Sequence, residues 1–228
     1  MRSPSLSPEA VGTRLLRTGV WITVAAVVVQ TVAHLVNAFA LGGDVWNLDA
    51  DEEGNAFTWA SSVAEFAAGL ASILWAEAVG SGRRAFLILA AILVFFSLDD
   101  IVQVHEHIGL EFGEDVLGLP DYLAVRLWTI FYLPLLLLAG VLLFDLPRRF
   151  WPPTTRFVWG GLALLVGAFG VEIVGALTRW IQERGTSWPE DIRSGVEEGL
   201  ELGGWMLIAT GLVTAVCVSL ASSSRVEA

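Results

Sequence analysis

The chain contains no lysine, and all thirteen of its basic residues are arginine. It has one cysteine, Cys217, which excludes an internal disulfide and a cysteine-based metal site. Only 16% of its residues are charged, against about 25% in soluble domains. Acidic residues outnumber basic ones, 24 to 13, and the formal net charge of −11 argues against nucleic acid or an anionic lipid surface as the main partner. No phosphate-binding glycine loop, nucleophile motif, haem signature or flavin signature is present. No internal repeat is evident, which weakens an inverted-repeat transporter reading.

What remains is apolar. The 228 residues are 55% hydrophobic, with a mean hydropathy of +0.66. A soluble fold could not hide that surface, and several runs reach the ~20 residues that cross a bilayer. Six spans are expected, at 18–41, 56–79, 85–107, 122–145, 157–181 and 196–220. Gly/Asp, Gly/Ser/Arg, Gly/Pro and Pro/Arg breaks separate them. The fold class is therefore an all-α, polytopic transmembrane bundle in a single integral domain. Ala38-Phe39-Ala40 loosely resembles a signal-peptide cleavage site. The run before it is too long for one and carries Gln30, His34 and Asn37, so it is read as a retained span.

Arginine placement sets the expected orientation. Arg2, Arg14, Arg17, Arg83, Arg84, Arg148, Arg149, Arg156 and Arg225 fall on one side of a six-span chain. Asp44, Asp49, Asp51, Glu52, Glu53, Glu111, Glu114, Asp115 and Asp121 fall on the other. The positive-inside rule then puts both termini in the cytoplasm. The arginine-only, Ala/Val/Gly/Leu-rich composition points to a bacterium with a GC-rich genome, hence a bacterial plasma membrane.

Against this background Glu65, Asp99, Asp100, Glu106, Glu172, Glu198 and Glu201 stand out, with Glu197 at the margin. A carboxylate near the bilayer centre costs roughly 2.5–3.5 kcal/mol on insertion scales. Repeating that cost across four helices requires shared protons, arginine partners or a bound cation. The topology places nearly all of these groups in the outer halves of their spans, with His34, Asn37, His105 and His107. At about 100° per residue, Asp99, Gln103 and Glu106 form one stripe, with Asp100 and His107 beside it. Glu197, Glu198 and Glu201 share a face of span 6, and Glu172 shares a face of span 5 with Arg179. Thr58, Ser61, Ser62 and Glu65 line span 2, while Thr23, Gln30, His34 and Asn37 line span 1. Gly160, Gly161, Gly167, Gly170, Gly175, Gly203 and Gly204 would allow close helix packing.

Arg179 and Arg126 are the cations within reach. The candidate metal set is Asp99, Asp100, Glu106, His107, Glu198 and Glu201, supported by Glu65, His34, His105, Glu172 and Arg179. Carboxylates mixed with imidazoles suit Mn, Fe or Zn, or Ca if the histidines are bystanders. A Glu-x-x-His pair, the usual mark of a di-iron bundle, is missing. Each group also has a plainer explanation. The carboxyls could form a packing network, Glu197 and Glu198 could simply suit the first turn of a helix, and Glu172 with Arg179 could be a structural ion pair.

Ser97-Leu98-Asp99-Asp100, His105-Glu106 and Glu197-Glu198 with Glu201 give the chain a likeness over three helices. It resembles uncharacterised bacterial multi-pass membrane proteins with an acidic pair, a downstream His-Glu and an acidic cluster on the last helix. That resemblance implies no mechanism. Three functions fit the pattern: a metal-dependent membrane enzyme acting on a lipid-like substrate, a proton or cation transport component, and a non-catalytic membrane subunit. The expected partners are membrane lipids and a lipid-like substrate or a cation. Oligomeric state is not legible.

Overall fold

The computed structural model describes residues 7–50, 52, 54–79, 81–119, 124, 127–181 and 188–223. Among them it contains helices and no strand. Six helices are long and apolar enough to cross a membrane. In a medium without water only internally bonded backbone is tolerated, which is why such runs become helices.

Helix α1 runs Pro8–Ala40, α2 Ala56–Val79, α3 Arg83–Val102, and a short α4 Val104–Leu110. A π-helical turn over Glu111–Val116 follows. The remaining helices are α5 Trp128–Phe150, α6 Thr155–Ile181 and α7 Trp188–Ser223. Local chemistry sets several ends. Ser7 Oγ accepts from the Ala10 amide at 3.2 Å, with Pro8 at the first helical position. Asn55 Oδ1 accepts from the Phe57 and Thr58 amides at 2.6 and 3.0 Å and caps α2. Gly82, with φ +76°, turns the chain into α3.

Four expected spans shift at one end: the first begins at Pro8 rather than 18, and the fourth runs on to Phe150 rather than 145. The third ends at Val102 rather than 107, because the backbone breaks at Gln103. The sixth begins at Trp188 rather than 196. Pro189 near its start, followed by Glu190 and Asp191 in its first turn, is the sequence signal for that earlier start.

Helix α7 is central: α1, α2 and α6 all pack on it, and α2 also packs along α3. Its Leu202, Ile208, Leu212 and Ala215 are fully buried. The last three join Trp75, Phe86, Leu89 and Leu93 in one core, and Leu202 packs with Ala50 and Phe57 in a second. Helix α5 touches its neighbours less, and its Ile130, Leu133, Leu137 and Val141 face outward, as do Val28 and Val29 of α1 and Val166 of α6. So much exposed aliphatic surface fits a lipid environment.

The glycine expectation resolves residue by residue. Gly161 of α6 and Gly204 of α7 meet backbone to backbone: a Cβ on Gly161 would lie 2.5 Å from the Gly204 carbonyl oxygen. Gly170 faces open space instead.

Candidate functional site: a carboxylate cluster lining a cavity

Glu65 of α2, Asp100 of α3 and Glu201 of α7 converge. Each offers a carboxylate oxygen, and these three atoms lie within 4.8 Å of one another. The three helices can bring them together because α2 packs on both α3 and α7. A further tie, from Ser97 Oγ to the Ser62 carbonyl at 2.8 Å, fixes α3 against α2 just before the acidic pair.

Glu65 is the deepest of the three, at 1% exposure. Glu65 has the carboxylates of Asp100 and Glu201 beside its own. Its Oε2 is enclosed and has no partner, and neither has Ser61 Oγ one turn away. A buried polar oxygen left without a partner costs about 1–3 kcal/mol.

The cluster opens onto a cavity of about 1450 Å³. Asp99, His105, Glu106, Glu172, Glu197 and Glu198 also line it. Its other wall is apolar, built from α5 residues such as Leu133, Leu137 and Val141 and from Val166 and Phe169 of α6.

Asp99 and Asp100 are neighbours with different surroundings. Asp99 is buried, and its carboxylate is occupied by protein donors. Its Oδ1 accepts from the Tyr132 hydroxyl at 2.9 Å and from the His105 amide at 3.2 Å. Its Oδ2 lies 2.7 Å from His105 Nδ1. The His105 ring packs against Trp128, with centroids 5.0 Å apart. Tyr132 was not legible as a site residue, since nothing in the sequence ties the fourth span to the third.

The break at Gln103 makes this arrangement. Gln103 adopts φ +59°, the only non-glycine residue with positive φ among those described. Its amide bonds the Asp99 carbonyl at 2.6 Å, and the chain restarts as α4 at Val104. The single stripe of Asp99, Gln103 and Glu106 expected for a continuous helix is therefore interrupted, and His105 swings back onto Asp99. A left-handed conformation costs a side-chain-bearing residue roughly 1–2 kcal/mol. Gln103→Gly is accordingly expected to stabilise the protein by about 1 kcal/mol, and Gln103→Val to destabilise it, read as thermal midpoints in detergent.

The other histidines are held elsewhere. His107 is exposed, and its Nδ1 sits 2.7 Å from the Gln103 carbonyl. His34 is buried at 1% exposure as a clamp between segments. Its Nδ1 accepts from the Ala50 amide at 2.9 Å, which leaves Nε2 to donate to the Asp191 carbonyl at 2.8 Å. The rest of the α1 stripe likewise ties backbone: Gln30 reaches the Ala56 carbonyl and Asn37 accepts from the Val45 amide.

Arg126 and the side chain of Arg179 lie outside the described residues. Arg193, which the sequence reading left in a connection, lines the cavity from the first turns of α7. It bonds Glu190 at 2.6 Å and also Glu197. Gly175 of α6 makes room for it, since a Cβ there would meet Arg193 Cδ at 2.6 Å.

Residues 19–216 match a family model described as Domain of unknown function (DUF8692). The chain belongs to this family. The matched segment contains every carboxylate of the cluster and the cavity walls. No curated protein and no solved structure matches the chain.

Proposed function

We propose that this protein is an integral membrane metalloenzyme of a bacterial plasma membrane. In this reading Glu65, Asp100 and Glu201 hold one divalent cation, and the substrate is a lipid-like amphiphile. The observation that carries the reading is Glu65 Oε2, enclosed and without a partner, on a carboxylate that joins those of Asp100 and Glu201 in a triad. A cation shared by the triad would satisfy that oxygen and offset the charge of its neighbours. All-oxygen ligation suits Mn or Ca, and Fe or Zn with an added nitrogen.

The apolar cavity wall supports the substrate class. Leu133, Leu137, Val141 and Val166 are exposed to the surroundings of the bundle, so a hydrocarbon chain could enter sideways while its polar group reaches the carboxylates. Arginine alternation supports placing the site in the outer half of the membrane. A cation such as zinc would bring bound water to a pKa of about 7 and supply hydroxide for hydrolysis. Glu106, Glu172, Glu197 and Glu198 share the cavity as outer groups rather than members of the triad.

Elemental analysis of detergent-purified protein by inductively coupled plasma mass spectrometry tests this. The expected result is about one equivalent of a single divalent metal, falling below about a tenth in Asp100→Asn/Glu201→Gln. Equal absence from both proteins, with helical circular dichroism preserved, removes the metal reading.

A further inference from the structure

Asp99 spends its carboxylate on His105 and Tyr132, although it stands next to a residue of the triad. The consequence lies in the tautomer. The Asp99 Oδ2 to His105 Nδ1 separation of 2.7 Å joins an acceptor-only carboxylate to a ring nitrogen, so Nδ1 carries the hydrogen. In the neutral ring Nε2 then keeps a lone pair. His105 also lines the carboxylate cavity.

Position separates two roles for that lone pair. Among the described residues, His105 does not belong to the set of ligand atoms within 4.8 Å of one another. It lines the same cavity as Glu65, Asp100 and Glu201. His105 thus stands outside the triad while bordering the same space.

We infer that His105 is the proton acceptor of this site, taking a proton at Nε2 from water bound by a cation on Glu65, Asp100 and Glu201, with Asp99 as its positioning residue. The inference rests on the metal reading above. In the step, one O–H bond of the water breaks, its electron pair stays on oxygen as hydroxide, and the proton forms a bond to Nε2. The resulting imidazolium remains hydrogen-bonded to the Asp99 carboxylate, which offsets its charge. Trp128 and Tyr132 flank the ring and limit its rotation.

The substitution Asp99→Asn probes this assignment. Oδ1 accepts from two fixed donors, Tyr132 Oη and the His105 amide, so the amide oxygen of an asparagine takes that place. The NH2 group then faces Nδ1, which must accept, and the ring hydrogen moves to Nε2. The lone pair is lost with little change of shape.

Full-length protein loaded with Co2+ in detergent gives the readout, because the visible bands of bound Co2+ change as its water ionises. In the unmodified protein a pH-dependent transition is expected. In Asp99→Asn and in His105→Gln the hydroxide fraction at neutral pH should fall about tenfold, the low end for loss of an outer partner of a metal site. His107→Gln, an exposed residue away from the cavity, should leave it unchanged. Glu106, Glu172, Glu197 and Glu198 also face the cavity and are intact in all three variants.

Bound Co2+ with no transition, or a transition equal in all proteins, overturns the role of His105 and leaves the metal centre standing. Failure to bind Co2+ overturns both. Should the variants misfold, 15N chemical shifts of the unmodified protein decide the matter: a hydrogen on His105 Nε2, rather than Nδ1, overturns the assignment.

Discussion

Replacing Glu65 by glutamine is expected to raise the thermal midpoint of the metal-free protein and to abolish the further rise that a divalent cation gives the unmodified protein. Both effects come from one oxygen. Glu65 is enclosed with Asp100 and Glu201 beside it, and its Oε2 has no partner. Without a cation, three acidic groups crowd together around the buried Glu65, and taking charge out of water is costly unless it is paired. Glutamine keeps the shape and removes one acidic group, so the metal-free fold gains.

The same change removes a ligand, and binding must weaken. A ligand at a hundred times its Kd stabilises a fold by about 2.7 kcal/mol, and that increment should vanish. Thermal unfolding in detergent, with a chelator and then with excess Mn2+ or Zn2+, reads both limbs. A variant that melts lower than the unmodified protein without metal and keeps the full metal-induced rise would mean that Glu65 is a packing residue.

The second large effect concerns the scaffold. Gly161→Val is expected to cost about 3 kcal/mol, because the new Cβ would stand 2.5 Å from the Gly204 carbonyl oxygen and 2.7 Å from Ile208 Cγ1. The obstacle is backbone, which cannot rotate aside. Helix α6 must therefore lift from α7 along the contact that close packing in a membrane depends on. Glu172 would move with α6, so the cavity should widen as well. Gly170→Ala on the same helix is the control. Its Cβ would meet nothing within 4 Å, and alanine in place of glycine should be neutral or help by up to about 1 kcal/mol. Unfolding by denaturing detergent compares the two, and equal stability of both variants would contradict the backbone contact.

The sequence by itself determined the helices and their apolar character. Without lysine and with few charges, long Leu/Val/Ala runs have one stable form where backbone cannot bond water, and six helices able to span a membrane follow. It also marked Glu65, Asp100 and Glu201 as anomalies, because an acidic residue inside such a run needs a reason. It ranked Glu65 only as a supporting residue, behind Asp99, Glu106, His107 and Glu198, whereas the structure groups Glu65 with Asp100 and Glu201. Helical periodicity placed Asp99 and Asp100 together, but only the packing of α2 between α3 and α7 separates Asp100, in the triad, from Asp99, bonded to Tyr132 and His105. The turn at Gln103 was equally illegible. A glutamine has no preference for φ +59°, so the surrounding contacts impose that break, and with it the direction of His105. Arg193 lay between these cases: Pro189, Glu190 and Asp191 announced an early start of α7, yet the space left by Gly175 on α6 is what lets its side chain lie at the cavity. Local rules act along one chain segment, whereas which carboxylate meets which neighbour is decided where segments distant in sequence share a volume.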